Sequence, residues 1–181
     1  LQPHNLREVC AALRRVLDEP TVELVELCKL VTGPDFPTGG TIMGRRGIFQ
    51  AYTTGRGRVI VRGKHHVEDK KTKQQLVFTE IPFQVRKSAI IEKIVEVVKD
   101  QRITGISDIR DESDRDGIRL VIELKKGEDP QVIVNQLYQY TPLQSTTSII
   151  NLAIADGRPR TLTLRDLLDS YIGHRLSLIH I

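Results

Sequence analysis

The side chains in this sequence best suited to chemistry are cationic and closely spaced: Arg45, Arg46, Arg56, Arg58, Arg62 and Lys64. Arg45 and Arg46 lie between Gly44 and Gly47, and Arg56 between Gly55 and Gly57, so guanidinium groups alternate with residues that let backbone approach a ligand closely. The planar arginine fork suits two phosphate oxygens at once. Arg58 and Arg62 are evenly spaced in a run that alternates like a strand, which puts both on one face. The chemistry served by this pattern is anion binding.

The distribution of charge points the same way. The 181-residue chain carries 27 Lys and Arg against 23 Asp and Glu, a formal +4. Residues 44–75 hold nine of those cations and two of the anions, a local +7, so the remainder sums to −3. Such a concentration is the footprint of a surface that meets a polyanion, with nucleic acid the leading candidate. With four Phe, four Tyr and no Trp, platforms for stacking single-stranded bases are scarce, which favours contact with a duplex backbone. Three other readings stand beside this one. The basic hairpin serves solubility, or Arg56 or Arg58 pairs with the acidic run at 111–116, or the chain is a free-standing basic module for RNA or an acidic protein.

Other chemistries find less support. His65 and His66 are adjacent on an expected strand and point to opposite faces, with no third ligand at metal-binding spacing, so no metal site is assigned. Asp111, Glu112, Asp114 and Asp116 lack the ligand spacing and terminal Glu of a calcium loop and read as a solvated turn. Gly55-Arg56-Gly57 leads into a strand, whereas nucleotide loops need a helix after their glycines. Asp35 has no acid or base partner nearby, and no nucleophile elbow is present, so no catalytic residue is assigned. Cys10 and Cys28 fall on apolar helical faces and read as reduced core thiols.

These residues need elements to position them. Asn5, with Glu8 three residues on, opens an amphipathic helix over 6–18. Thr21 caps a second helix, completing a helical hairpin at the N-terminus. Residues 33–47 form a shaped Gly/Pro loop, followed by a short helix at 48–52. A strand over 58–67, with Val59, Val61 and Val67 on one face, turns at 69–74 and returns as a strand over 75–81, giving a hairpin with a basic outer side. Helices are expected between 84 and 102 and from Pro130, strands over 106–112 and 117–124, extended chain over 145–155, and a final helix from Leu164. The fold class is therefore α+β, a mostly antiparallel sheet with flanking helices.

The composition, 39% apolar and 28% charged, is that of a soluble globular chain without a membrane partner. The chain opens without methionine and reads as a piece of a longer polypeptide.

A series of ordered motifs runs along the chain: PHNL at 3–6, GPDFPT at 33–38, GRRGI at 44–48, AYTTGRGRV at 51–59, EIPFQV at 80–85, GISDIRDESDRDGIRLVIELKKG at 105–127 and QLYQ at 136–139. Together they closely resemble the A subunit of bacterial type IIA DNA topoisomerases, gyrase or topoisomerase IV. The resemblance implies the end of the winged-helix gate region with a connecting helical hairpin over 1–33, a tower domain over 34–163, and the start of a coiled-coil arm over 164–181. It also implies a cytoplasmic, nucleoid-associated enzyme of two A and two B subunits that passes double-stranded DNA through a transient break. There the partner B subunit holds Mg2+ and hydrolyses ATP, and this stretch binds no cofactor. The nucleophilic tyrosine of that family precedes the PHNL motif, so none of Tyr52, Tyr138, Tyr140 or Tyr171 is nominated and the stretch is expected to be inactive alone. Its implied role is to support the flanks of the bent gate DNA with the six cations named above. After Arg175 the chain departs from the family pattern with LSLIHI, and residues 176–181 are assigned no function.

Overall fold

The computed structural model describes residues 1–70, 73–155 and 157–179. In chain order the elements are α1 (Leu6–Asp18), α2 (Leu24–Leu30), β1 (Thr41–Met43), α3 (Arg46–Thr54), β2 (Arg56–Arg62), β3 (Lys64–Lys70), β4 (Lys73–Glu80), α4 (Lys87–Lys99), β5 (Ile106–Asp111), β6 (Leu120–Leu124), α5 (Pro130–Tyr140), β7 (Gln144–Ile150), β8 (Leu152–Ala155), β9 (Arg158–Thr161) and α6 (Leu164–Ile179). The fold is α+β with antiparallel pairing, as expected. The chain divides into two units. Unit 1 comprises Leu1–Pro37, Gly44–Val59 and Thr146–Ile181, and unit 2 comprises Thr38–Met43 and Ile60–Ser145.

In unit 1, Asn5 caps α1 by accepting from the Arg7 N–H at 3.0 Å. Glu8 does not complete the expected reciprocal cap. Its carboxylate instead takes the Thr32 N–H and hydroxyl at 3.1 and 2.9 Å, tying α1 to the exit of α2. The buried line of α1 is Ala12 and Val16, rotated from the predicted stripe, so Cys10 is exposed and Cys28 only half-buried; neither is a core thiol. Leu6, Cys10 and Leu13 face Leu164, Leu168 and Tyr171 of α6 across an open apolar groove. Glu23, not Thr21, occupies the cap of α2, because the chain first closes a turn from Val22 N–H to Glu19 C=O and buries Val22. Arg165 of α6 clamps that turn, donating to the Val22 and Pro20 carbonyls at 3.0 and 2.7 Å. Thr163 and Asp166 cap α6 reciprocally. Residues 176–179 continue α6, whereas 180 and 181 lie outside the described residues.

Unit 2 is a four-stranded sheet in the order β3-β4-β6-β5. On one face Leu76, Phe78, Leu120, Ile122 and Leu124 pack against Ile90 and Ile94 of α4 and Ile133 and Leu137 of α5 in one core cluster. Each such side chain stabilises the unit by about 1.5–3 kcal/mol relative to exposure. Val77 and Val121, also buried, belong to the other face, where Gln75, Glu123 and Arg110 form a polar cover.

The expected strand over 58–67 is in fact two strands in two sheets. Gly63 separates them: its N–H donates to the Leu143 carbonyl at 2.8 Å, and a Cβ there would come 2.8 Å from the Glu80 carbonyl oxygen. β2 pairs with β1, and β3 with β4, so Val67 falls out of phase with Val59 and Val61 and is exposed. Of the expected turn at 69–74, residues 69 and 70 belong to β3 and 73 and 74 to β4, while 71 and 72 lie outside the described residues. β1 and β9 were not foreseen, since a Gly/Pro-rich loop and a run with Pro159 hide three- and four-residue strands.

Candidate nucleic-acid interface

The site in unit 1 begins with a contact that excludes side chains. A Cβ on Gly47 would stand 1.8 Å from the Arg58 carbonyl oxygen, and one on Gly57 would stand 2.2 Å from that of Gly47. The first turn of α3 therefore lies directly on the start of β2, so the chain segments that carry Arg46 and Arg58 touch through their backbones. Gly55 closes α3 with φ at +76°, a left-handed cap suited to glycine, and donates to the Ala51 carbonyl. Asn151 secures that end, donating from its backbone to Gly55 C=O at 2.8 Å and from its side chain to Ala51 C=O at 3.2 Å.

The electrostatics of this spot are one-sided. Arg45 occupies the cap of α3 with no side-chain cap hydrogen bond, and the first turn holds no acidic residue. The free N–H groups and positive dipole end of a helix disfavour a nearby cation and favour an anion. Alternation along β2 turns Val59 and Val61 inward and leaves Arg56 and Arg58 exposed. Among the described residues none of Arg45, Arg46, Arg56 and Arg58 carries an ion pair or a side-chain hydrogen bond. Lys29 and the exposed Phe49 join Arg45 and Arg46 around a depression of about 430 Å³. Arg56 and Arg58 border another of about 340 Å³ with Gln50 and Ser148. Sequence reading did not include Lys29, which lies on a different helix from the arginines.

Arg62 and Lys64 belong to unit 2 and are differently placed. Arg62 is half-buried, donates from Nε to Gln144 Oε1 at 2.6 Å, and lies 4.9 Å from the centroid of the Tyr138 ring. Lys64 stands 3.6 Å from Glu80, whose other oxygen accepts the Gly40 N–H at 2.6 Å. Both are partly committed within their own unit. Tyr138 donates its hydroxyl proton to Gly63 C=O at 2.7 Å, so His65 Nδ1, 2.9 Å from that oxygen, is the donor in their shared bond. Burial, and then neighbouring His66, lower the pKa of His65, while burial raises that of Tyr138.

The acidic run at 111–116 does not partner Arg56 or Arg58. Asp111 takes Lys87 at 3.0 Å, and Glu112 takes Arg119 at 3.1 Å. Arg119 also grips both oxygens of Glu68, holding that carboxyl down at about 2 with help from His66. Asp111 is lowered chiefly by hydrogen bonds from Ser113. Asp111, Glu112 and Glu68 are thus already matched to cations, and no group of three His, Cys, Asp or Glu among the described residues forms a metal-holding cluster. No helix of the described residues is long and apolar enough to cross a membrane.

The profile of the family of DNA gyrase and topoisomerase IV A subunits matches residues 1–181, and the chain belongs to that family. It is similar to the DNA gyrase A subunit of Treponema pallidum, 46% identical over 181 residues, and to that of Lawsonia intracellularis, 49% identical over 180. The corresponding gyrase chain of Pseudomonas aeruginosa is 46% identical over 182 residues. Each alignment covers 99% of this chain, yet only 22%, 22% and 20% of the respective relatives, so the chain spans about a fifth of their length. The alternative of a free-standing basic module finds no support in these matches.

Proposed function

We propose that this chain is the DNA-supporting part of the A chain of a type II topoisomerase, and that Arg45, Arg46, Arg56 and Arg58 hold the phosphate backbone of the duplex. The observation that carries this reading is that four exposed arginines, unpaired among the described residues, stand on two elements whose backbones touch at Gly47 and Arg58, and line two depressions there. Phosphate contacts position a duplex without reading its sequence, and along its flanks they offset a bending cost on the order of 1–10 kcal/mol. Arg62 and Lys64 are secondary contacts in unit 2.

Bond-making lies elsewhere in the full-length protein. His4 donates from Nδ1 to Gln2 C=O at 2.8 Å, so its Nε2 accepts the Tyr52 hydroxyl at 2.9 Å. Burial first, then Glu8 and Cys28, raise the Tyr52 pKa, which disfavours the phenolate a nucleophile needs. Tyr138 is likewise buried and bonded. In this reading the stretch is inactive alone, and it works within a complex of two A and two B subunits in the cytoplasm. The B subunit supplies the Mg2+ and ATP chemistry.

Reversing Arg45 and Arg46 to Glu in the full-length subunit tests the assignment. Duplex affinity is expected to fall by the same factor for unrelated sequences, with the slope of log K against log salt reduced by about 2. Unchanged binding by a folded variant would remove these arginines from the interface.

A further inference from the structure

We propose that the open end of the four-stranded sheet in unit 2, where Lys70, Lys73, Lys125 and Lys126 line one groove, is a further binding surface for the phosphate backbone of a duplex. The register builds it. Lys70 on β3 stands directly opposite Lys73 on β4. Gln75 stands opposite Glu123 on β6, so two residues further along, Lys125 falls opposite Lys73 just beyond the end of β6. Three neighbouring chain segments thus each present an ammonium group on one line, at steps of about 4.8 Å. Like charges directly opposite one another destabilise a sheet, so this alignment works against the fold.

Little inside the unit relieves it. Lys73 has Glu123 at 4.0 Å, and that carboxylate is already held by Arg110 and by the Gln75 amide at 3.0 Å. Asp69 accepts from Gln74 at 3.0 Å. Lys70, Lys125 and Lys126 have no ion pair among the described residues. The groove encloses about 600 Å³, with Asp69 and Glu128 as its two anions. Among the described residues no aromatic ring lines it, which leaves the groove without a base-stacking platform, the main means of holding a single strand. Flexible lysine stems act as point charges and suit a repeating, sequence-independent backbone better than one planar anion. The groove rests on the strand register, while the choice of duplex as its partner rests on the function proposed above.

The experiment compares the full-length subunit with its K70Q/K125Q and R45E/R46E variants, measuring affinity for a mixed-sequence duplex across a salt series together with the thermal midpoint. K70Q/K125Q is expected to weaken binding by about fivefold per lysine near physiological salt and to lower the salt slope by about 2. Its thermal midpoint is expected to stay level or rise as the like charges are relieved, which separates lost binding from lost folding. If K70Q/K125Q binds like the unaltered protein while R45E/R46E does not, the groove is overturned and the arginine site stands. If only K70Q/K125Q loses affinity, the groove stands and the arginine assignment falls. If neither variant changes binding, both are overturned. A loss confined to a single strand or to polyglutamate, with duplex binding intact, also overturns the groove.

Discussion

His65 and His66 differ by one position and by almost everything else. His66 is exposed and 3.0 Å from Glu68, whereas His65 packs 5.4 Å from the Phe78 ring and donates to Tyr138. Because the pKa of His65 is lowered in the folded state, the unfolded chain takes up its proton first as pH falls. Its contribution to stability is therefore complete above the ordinary histidine range and declines as pH drops through that range toward the folded value. Thermal midpoints measured between about pH 7.5 and about pH 5.5 are expected to fall further for the unaltered protein than for H65Q, which keeps a donor but no titrating ring. An equal fall in both would assign the pH response to other groups. The arginines of the candidate site were legible because they crowd into one window of sequence. The lysine groove was not, since Lys70 and Lys125 meet only through the pairing of β3, β4 and β6.

At the level of elements, periodicity revealed α1, α4 and α5, whose apolar residues recur at helical spacing, and alternation of Ile118, Leu120, Ile122 and Leu124 revealed β6. The break at Gly63 was hidden because it depends on Leu143, a residue distant in sequence whose carbonyl receives the Gly63 N–H. The joint between α3 and β2 carries the sharpest mechanical prediction. Gly47→Ala places a methyl against rigid backbone, 1.8 Å from the Arg58 carbonyl oxygen, and should cost about 2–4 kcal/mol in a urea titration. Gly44→Ala meets nothing within 4 Å and has only its φ of +79° to oppose it, so its cost should be about 1 kcal/mol. Equal costs at both positions would mean that the joint yields easily.

Across the whole molecule, local stability should follow burial. The most slowly exchanging backbone amides are expected on β4 and β6, whose residues are buried on both faces of the sheet. The first turn of α1, where Leu6 is exposed, should exchange among the fastest. Comparable exchange rates in the two places would contradict this order. The division of the chain into units also has a consequence for the nascent polypeptide. Every residue of unit 2 has been made once Ser145 is added, whereas unit 1 starts at Leu1 and still lacks the segment from Thr146 onward. At ribosomal rates of about 5–20 residues per second, α1 and α2 wait several seconds for α6 to be translated, while the later-starting unit is already free to close. The half that begins first is thus completed last, and in the interval its apolar helix faces are the natural target for a chaperone.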